Sequence, residues 1–153
     1  MLAAGDKAPD FSLDGLDGRK QSLRELLSQG PVLLAFFKVS CPVCQLALPF
    51  LERIGKGSLP VVAISQDDER ATRQFHQTYG ISLATLLDRD RDRYAVSNGF
   101  GIDHVPTMFL VEPDGVISSV VEGFRKADLE SIGLRSGIVT FWETESVPAW
   151  KAG

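Results

Sequence analysis

Unbroken apolar runs and helical periodicities alternate along the chain. Residues Val32–Phe37 form an apolar run of the kind that a strand buried on both faces of a parallel sheet requires. Apolar positions then recur at helical spacing over Cys41–Ile54, and Gly55 supplies a stop signal. A second apolar run over Leu59–Ser65 predicts another buried strand. The middle of the chain is therefore expected to form a β-α-β unit.

Shorter patterns predict the elements on either side of this unit. Two Asp-Gly pairs between short strand-like segments predict an N-terminal β-hairpin. Asp67 is expected to cap a helix that runs through Tyr79 and ends at Gly80. The other predicted elements are a helix at Ser22–Leu27, a strand at Leu83–Leu87, a helix at Asp90–Asn98, a strand pair at Pro106–Glu112 and Val116–Glu122, and a helix at Ala127–Ile132. This order predicts an α/β fold with a central mixed sheet flanked by helices.

Length and composition indicate one globular domain. The chain has 153 residues, 44% of them apolar and 24% charged, close to the average for globular proteins. We expect the domain over residues 1–133 and a C-terminal tail over residues 134–153, packed on the domain or on a partner subunit. The sequence leaves a monomer and a dimer both open. A net charge of −4 offers no basic surface for nucleic acid or for an anionic membrane.

The chain shows no export signal and no membrane segment. A basic start followed by an apolar stretch of about 7–15 residues is absent. The longest apolar run, Val32–Phe37, is too short to span a bilayer. We therefore expect a cytoplasmic protein as the sequence stands, or a periplasmic or exported one if a leader has been removed.

The only two cysteines, Cys41 and Cys44, lie where a buried strand gives way to a helix. Unpaired N–H groups and the helix dipole stabilise a thiolate at a helix N-terminus, so Cys41 is the expected nucleophile. Cys44 lies one turn further along and is expected to resolve a mixed disulfide formed on Cys41. Pro42 fits the first turn because its missing N–H needs no partner there. This spacing predicts a dithiol that exchanges two electrons with a protein or small-molecule disulfide and with a donor dithiol.

Two other interpretations of the cysteine pair are buried structural cysteines and half of a metal site. A zinc site would need two further ligands, yet His76 and His104 are the only histidines and are not spaced as a ligand pair. His76 lies in a polar helical stretch and is expected at the surface. Neither a G-x-G-x-x-G nor a Walker pattern is present, so we expect no metal and no cofactor.

The cysteine motif and its surroundings resemble the thioredoxin-like superfamily. The resemblance is strongest to the branch that holds the alkyl hydroperoxide reductase/thiol-specific antioxidant (AhpC/TSA) proteins and the TlpA-like thiol-disulfide reductases of cytochrome maturation. It rests on the opening Gly5–Phe11, on Pro49 in the active-site helix, and on Val105-Pro106-Thr107. The resemblance implies a thioredoxin-like fold over most of the chain and a cis Pro106 beside the cysteines. It also implies that Val105, Pro106 and Thr107 bind substrate.

The chain departs from this superfamily at positions that handle the proton of the second cysteine. Ala35 stands where thioredoxin has a buried aspartate, and Ala47 where the cytochrome-maturation reductases have a buried glutamate. The sequence therefore leaves this proton acceptor open. Lys38 and His104 are candidates for tuning the reactivity of the first cysteine electrostatically. The alternatives are an exposed lysine at a strand end and an ordinary loop histidine.

Cys-Pro-Val-Cys also resembles the Thr-Pro-x-Cys loop of the peroxiredoxins, which predicts a different reaction. In that alignment Cys44 would attack peroxide and Cys41 would replace the threonine. Phe37 would replace the loop proline, and Ser118 the arginine. Peroxide cleavage needs that hydroxyl and that arginine, so dithiol exchange is favoured. A thiol peroxidase with an antioxidant function is the first alternative, and a non-catalytic, redox-responsive binding module is the second.

Overall fold

The computed structural model describes all 153 residues. Its strands are β1 (Ser12–Gly15), β2 (Lys20–Ser22), β3 (Val32–Phe37), β4 (Val61–Ser65), β5 (Ala84–Leu87), β6 (Thr107–Val111), β7 (Ile117–Glu122), β8 (Phe124–Arg125) and β9 (Trp150–Lys151). Its α-helices are α1 (Leu23–Leu27), α2 (Pro42–Ile54), α3 (Glu69–Tyr79), α4 (Ala95–Gly99) and α5 (Lys126–Arg135).

The first seven strands form one mixed sheet in the order β2-β1-β5-β4-β3-β6-β7. The central strands β3, β4 and β5 are parallel, whereas β6, β7, β1 and β2 join by antiparallel pairing. The α/β class, the mixed sheet and the N-terminal hairpin of β1 and β2 are therefore confirmed. A separate small sheet joins β8 to β9.

Strand β3 divides the core into two layers. All six of its residues are buried, and successive side chains point to opposite faces of the sheet. Leu33 and Phe37 pack in the cluster that contains the buried side of α2, while Leu34 and Phe36 belong to the second cluster. The strand therefore ends at a fixed place between the two layers, directly before the cysteine motif.

Two sequence predictions about helices are wrong. Asp68 and not Asp67 caps α3, because its side chain accepts the Ala71 N–H at 2.8 Å. The helix predicted over Asp90–Asn98 is broken into a 3₁₀ turn and α4, because Arg93 and Tyr94 between them have positive φ values of 57° and 50°. Non-glycine residues rarely adopt this backbone conformation, so no residue pattern signals the break.

His76 is buried and does not lie on the surface as the polar pattern predicted. Its Nε2 is 2.7 Å from the Thr85 hydroxyl, and its ring stacks on Phe37 with centroids 6.0 Å apart. Its Nδ1 has no hydrogen-bond partner. Burial lowers the pKa of His76, so the imidazole is held neutral in the core.

Beyond α5 the chain turns back over the α2 face of the domain. The ring of Phe141 lies 4.6 Å from that of Phe50 and 5.9 Å from that of Phe124, measured between centroids. Arg53 on α2 makes two hydrogen bonds to Glu145, at 2.7 and 2.6 Å. None of the helices is both long enough and apolar enough for a bilayer-spanning segment.

Candidate active site

The two cysteines occupy the first turn of α2. Cys41 is the N-cap residue with extended backbone (φ −84°, ψ 116°), and Pro42 takes the first helical position. The Cys44 N–H donates to the Cys41 sulfur at 3.1 Å. Both cysteines are free thiols, Cys41 partly exposed and Cys44 buried. The accessible sulfur thus has a backbone N–H donor aimed at it, at the N-terminus of the helix.

The second cysteine is held as a thiol by its surroundings. Cys44 has no exposed surface, and burial raises its pKa far above that of a free cysteine. Its hydrogen bond with Cys41 raises the pKa further, while a backbone hydrogen bond with Lys38 acts in the opposite direction. Negative charge on Cys41 also disfavours the Cys44 thiolate. In this state Cys44 is therefore a neutral thiol.

Asp67 fixes the segment between β3 and the cysteines. Its Oδ2 accepts the Val39 N–H at 2.8 Å, while the Val39 carbonyl accepts from the Gln45 side chain at 3.0 Å. The negative charge of Asp67 also raises the pKa of Cys44. This role of Asp67 is not apparent from the sequence, where its carboxylate fits a helix cap equally well. The parallel pairing of β3 with β4 contains the signal, since it brings the carboxyl ends of both strands to one edge.

The Val105–Pro106 peptide bond is cis, and its loop borders the first cysteine. The Cys41 thiol donates to the Val105 carbonyl at 3.5 Å. Thr107 is buried, and its backbone pairs with Phe36 on one side and Glu122 on the other. Its hydroxyl donates to the His104 carbonyl at 2.9 Å. The loop residue beside Cys41 whose backbone lies outside the sheet ladder is therefore Val105, while Thr107 holds the loop in place.

The two candidate tuning residues make contacts of their own. The Lys38 side chain is exposed, and its ammonium lies 5.9 Å from the centre of the Tyr94 ring. The His104 ring nitrogens face two carboxylates, Asp103 at 2.7 Å and Glu122 at 3.4 Å. No group of three or more His, Cys, Asp or Glu side chains is arranged to hold a metal ion.

The residues required by the peroxidase alignment do not form a peroxide site around Cys44. Its sulfur is buried. Phe37 lies within β3 and is buried, whereas the Ser118 hydroxyl on β7 donates to the Glu112 carboxylate. The geometry therefore offers an accessible nucleophile at Cys41 and a buried second thiol, which suits disulfide exchange.

Comparison with known proteins finds relatives that match most of the chain. The thioredoxin-like protein YneN of Bacillus subtilis (strain 168) is 30% identical over 137 residues, covering 84% of this chain and 78% of the relative. The thiol-disulfide oxidoreductase ResA of Geobacillus thermodenitrificans (strain NG80-2) is 27% identical over 141 residues, covering 86% and 79%. The thioredoxin domain of a thiol-disulfide oxidoreductase from Bacteroides vulgatus has the same fold, with a TM-score of 0.77, 23% identity, and coverage of 88% and 98%. The AhpC/TSA family matches residues 4–120, and the chain belongs to this family.

Proposed function

We propose that Cys41 and Cys44 form the redox couple of a thiol-disulfide oxidoreductase. The observation that carries the proposal is the asymmetry of the pair. Cys41 is partly exposed at a helix N-cap and accepts the Cys44 N–H at 3.1 Å, whereas Cys44 is buried. Curated relatives that bear the name thiol-disulfide oxidoreductase support the same activity. The enzyme uses a disulfide substrate and a redox partner.

The two cysteine sulfurs supply both of the electrons that reduce one substrate disulfide. The Cys41 thiolate attacks one sulfur of a substrate disulfide, forming a mixed disulfide and expelling the other substrate sulfur as a thiolate. Cys44 then loses its proton and attacks the Cys41 sulfur. This step releases the second substrate thiolate and leaves a Cys41–Cys44 disulfide. Two electrons pass to the substrate, the leaving thiolates take up protons, and a donor dithiol restores the pair by the reverse sequence.

The loop around Pro106 has a positioning role in this proposal. The Val105 carbonyl lies 3.5 Å from the Cys41 sulfur and provides backbone polarity for a bound substrate. Pro106 and Thr107 hold that carbonyl in place, Thr107 through its bond to the carbonyl of His104. The substrate is a protein or small-molecule disulfide.

Redox titration with single-cysteine variants tests the proposal. The protein is equilibrated in graded glutathione buffers, and free thiols are counted by alkylation and mass. We expect one two-electron transition to a Cys41–Cys44 disulfide. Cys44→Ser should accumulate a glutathione adduct on Cys41, while Cys41→Ser should remain unmodified because its remaining sulfur is buried. A Cys41→Ser variant that retains disulfide-exchange activity would contradict the assignment.

The same preparations separate the two alternatives. Rapid consumption of hydrogen peroxide with over-oxidation of Cys44 would favour a peroxidase, whereas a rate similar to that of free cysteine removes it. Turnover of insulin or of a small disulfide discards a binding module without catalysis.

A further inference from the structure

The C-terminal tail is bound to helix α2 before its last residues reach the redox site. Arg53 holds Glu145 through two hydrogen bonds and lies 3.8 Å from the centre of the Trp142 ring. Phe141 packs on Phe50 in the same region. These contacts precede the last residues of the tail, so they do not depend on where those residues lie.

The last five residues, Ala149–Gly153, are here named the strap. Within it, Trp150 pairs with Arg125 and Lys151 with Phe124, as strands β9 and β8. The Ala149 carbonyl also accepts the Lys126 N–H at 3.0 Å. All five strap residues are exposed. Short backbone pairing and little apolar burial therefore hold the strap in place, and such segments open at low cost.

The strap and the reactive cysteine meet at one carbonyl group. A methyl group added at Gly153 would lie 2.3 Å from the Val105 oxygen, so Gly153 packs directly against it. The same oxygen accepts the Cys41 thiol at 3.5 Å. A methyl group added at Gly123 would lie 2.3 Å from the Lys151 oxygen and 3.1 Å from the Gly153 nitrogen. Backbone of the strap thus lies against two loops that border the site.

An extended protein substrate needs unpaired backbone near Cys41. Strand β6 offers none, because β3 and β7 pair with it on both sides. The available backbone is at Val105 and along β8, and the strap covers both. Addition of a substrate strand at this position would require the strap to leave.

A small disulfide meets no such obstacle. Cys41 remains partly exposed with the strap in place. A cavity of about 250 Å³ lies beside Val105, and its lining includes Lys38, Tyr94 and Asn98 but neither cysteine and no residue of the tail. Six of its nine lining residues are polar or charged, so the surface around the Val105 loop suits a small, polar disulfide.

We infer that the strap is a specificity element that admits small polar disulfides to Cys41 and screens the site from extended protein disulfides. This inference rests on the proposed function of Cys41. The family match ends at residue 120, so the strap lies in a part of the chain outside that match. A substrate that needs the open form reacts at a rate reduced by the fraction of open molecules. A strap that is closed nine-tenths of the time slows such a substrate about tenfold.

The test compares two substrates on the full chain and on a variant that stops at Pro148. Pre-reduced protein is mixed with excess insulin or excess hydroxyethyl disulfide, quenched with acid, alkylated and weighed. We expect truncation to raise the rate constant with insulin at least about fivefold, with the hydroxyethyl disulfide rate unchanged within about twofold. Gly153→Ala, whose methyl group would press on Val105, should give a smaller rise with insulin. Val139→Ala, in an exposed part of the tail, is the matched control.

Each outcome has one meaning. Unchanged or slower oxidation by insulin in both strap variants overturns the inference, provided that the circular dichroism spectra match that of the full chain. An equal rise with both substrates also overturns it, because the strap would then act as a general cover. If neither substrate oxidises Cys41 in any variant, the proposed function itself fails.

Discussion

Replacing Phe141 by alanine measures how strongly the tail is bound to the rest of the domain. Phe141 is partly buried, and its ring lies 4.6 Å from Phe50 and 5.9 Å from Phe124 between centroids. A fully buried phenylalanine costs about 3–5 kcal/mol when cut to alanine. Partial burial reduces this to about 2 kcal/mol of lost apolar burial, and the lost aromatic contacts add about 0.5–1 kcal/mol. We expect Phe141→Ala to lower the free energy of unfolding by about 2.5–3 kcal/mol.

Urea denaturation followed by circular dichroism is the appropriate assay. With a slope of about 2 kcal/mol per molar urea, the midpoint should fall by about 1.2–1.5 M without a change in slope. Phe141→Leu keeps much of the apolar volume and should lose about half as much stability. Val139→Ala, whose side chain is 70% exposed, is the control, with an expected loss below about 0.5 kcal/mol.

Equal midpoints for Phe141→Ala and Val139→Ala would refute the reasoning. The tail would then contribute nothing to the cooperative unit, and a domain ending at Gly133, as the helix pattern predicts, would be the complete folding unit. A shallower slope in Phe141→Ala would show instead that the tail unfolds separately from the sheet.

Two further predictions concern ionisable groups. Burial lowers the pKa of His76, with Glu52 and Arg73 as its charged neighbours. The unfolded chain therefore binds more protons, and stability should fall as pH drops below about 6.5. Urea midpoints from pH 7.5 to 5.5 should show a smaller fall for His76→Gln, and parallel curves would contradict this. Asp67→Asn keeps an acceptor for the Val39 N–H but removes the charge that raises the pKa of Cys44. The pH profile for resolving a mixed disulfide should therefore shift to lower pH in Asp67→Asn. The control, Asp68→Asn, should leave the profile unshifted. An unshifted profile in Asp67→Asn would refute the effect of Asp67 on the pKa of Cys44.

Sequence signals that act within a few residues predict most of the strands and helices that position the redox pair. The apolar run of β3 and the proline after Cys41 are signals that act within a few residues, and both place the redox pair correctly at the start of α2. The left-handed conformation at Gly80 is another local signal, since glycine carries no steric penalty there. The cis peptide before Pro106 follows from the family resemblance, because an X-Pro sequence by itself favours trans.

Features that depend on distant pairing could not be predicted in this way. Asp67 and Val39 are 28 positions apart, and the carboxylate has the same local pattern as a helix cap. Strand β9 has only two residues, too few for an alternating pattern. His76 on α3 is buried by Thr85 of β5 and Phe37 of β3. These contacts are distant in sequence, so the polar neighbours of His76 wrongly predicted a surface position.

The position of Asp67 bears on the proton of Cys44, which the sequence leaves without an acceptor. The family resemblance implies a buried acid at one of two positions, which here are Ala35 and Ala47. Both are fully buried, so a carboxylate at either position would be desolvated. Asp67 is instead partly exposed and contacts the segment whose Lys38 backbone bonds to the Cys44 sulfur. A carboxylate at this partly exposed edge avoids the desolvation that an acid at either alanine would suffer. Burial therefore does most to hold the Cys44 thiol neutral, and the Asp67 carboxylate at the open end of the sheet adds a smaller rise in its pKa.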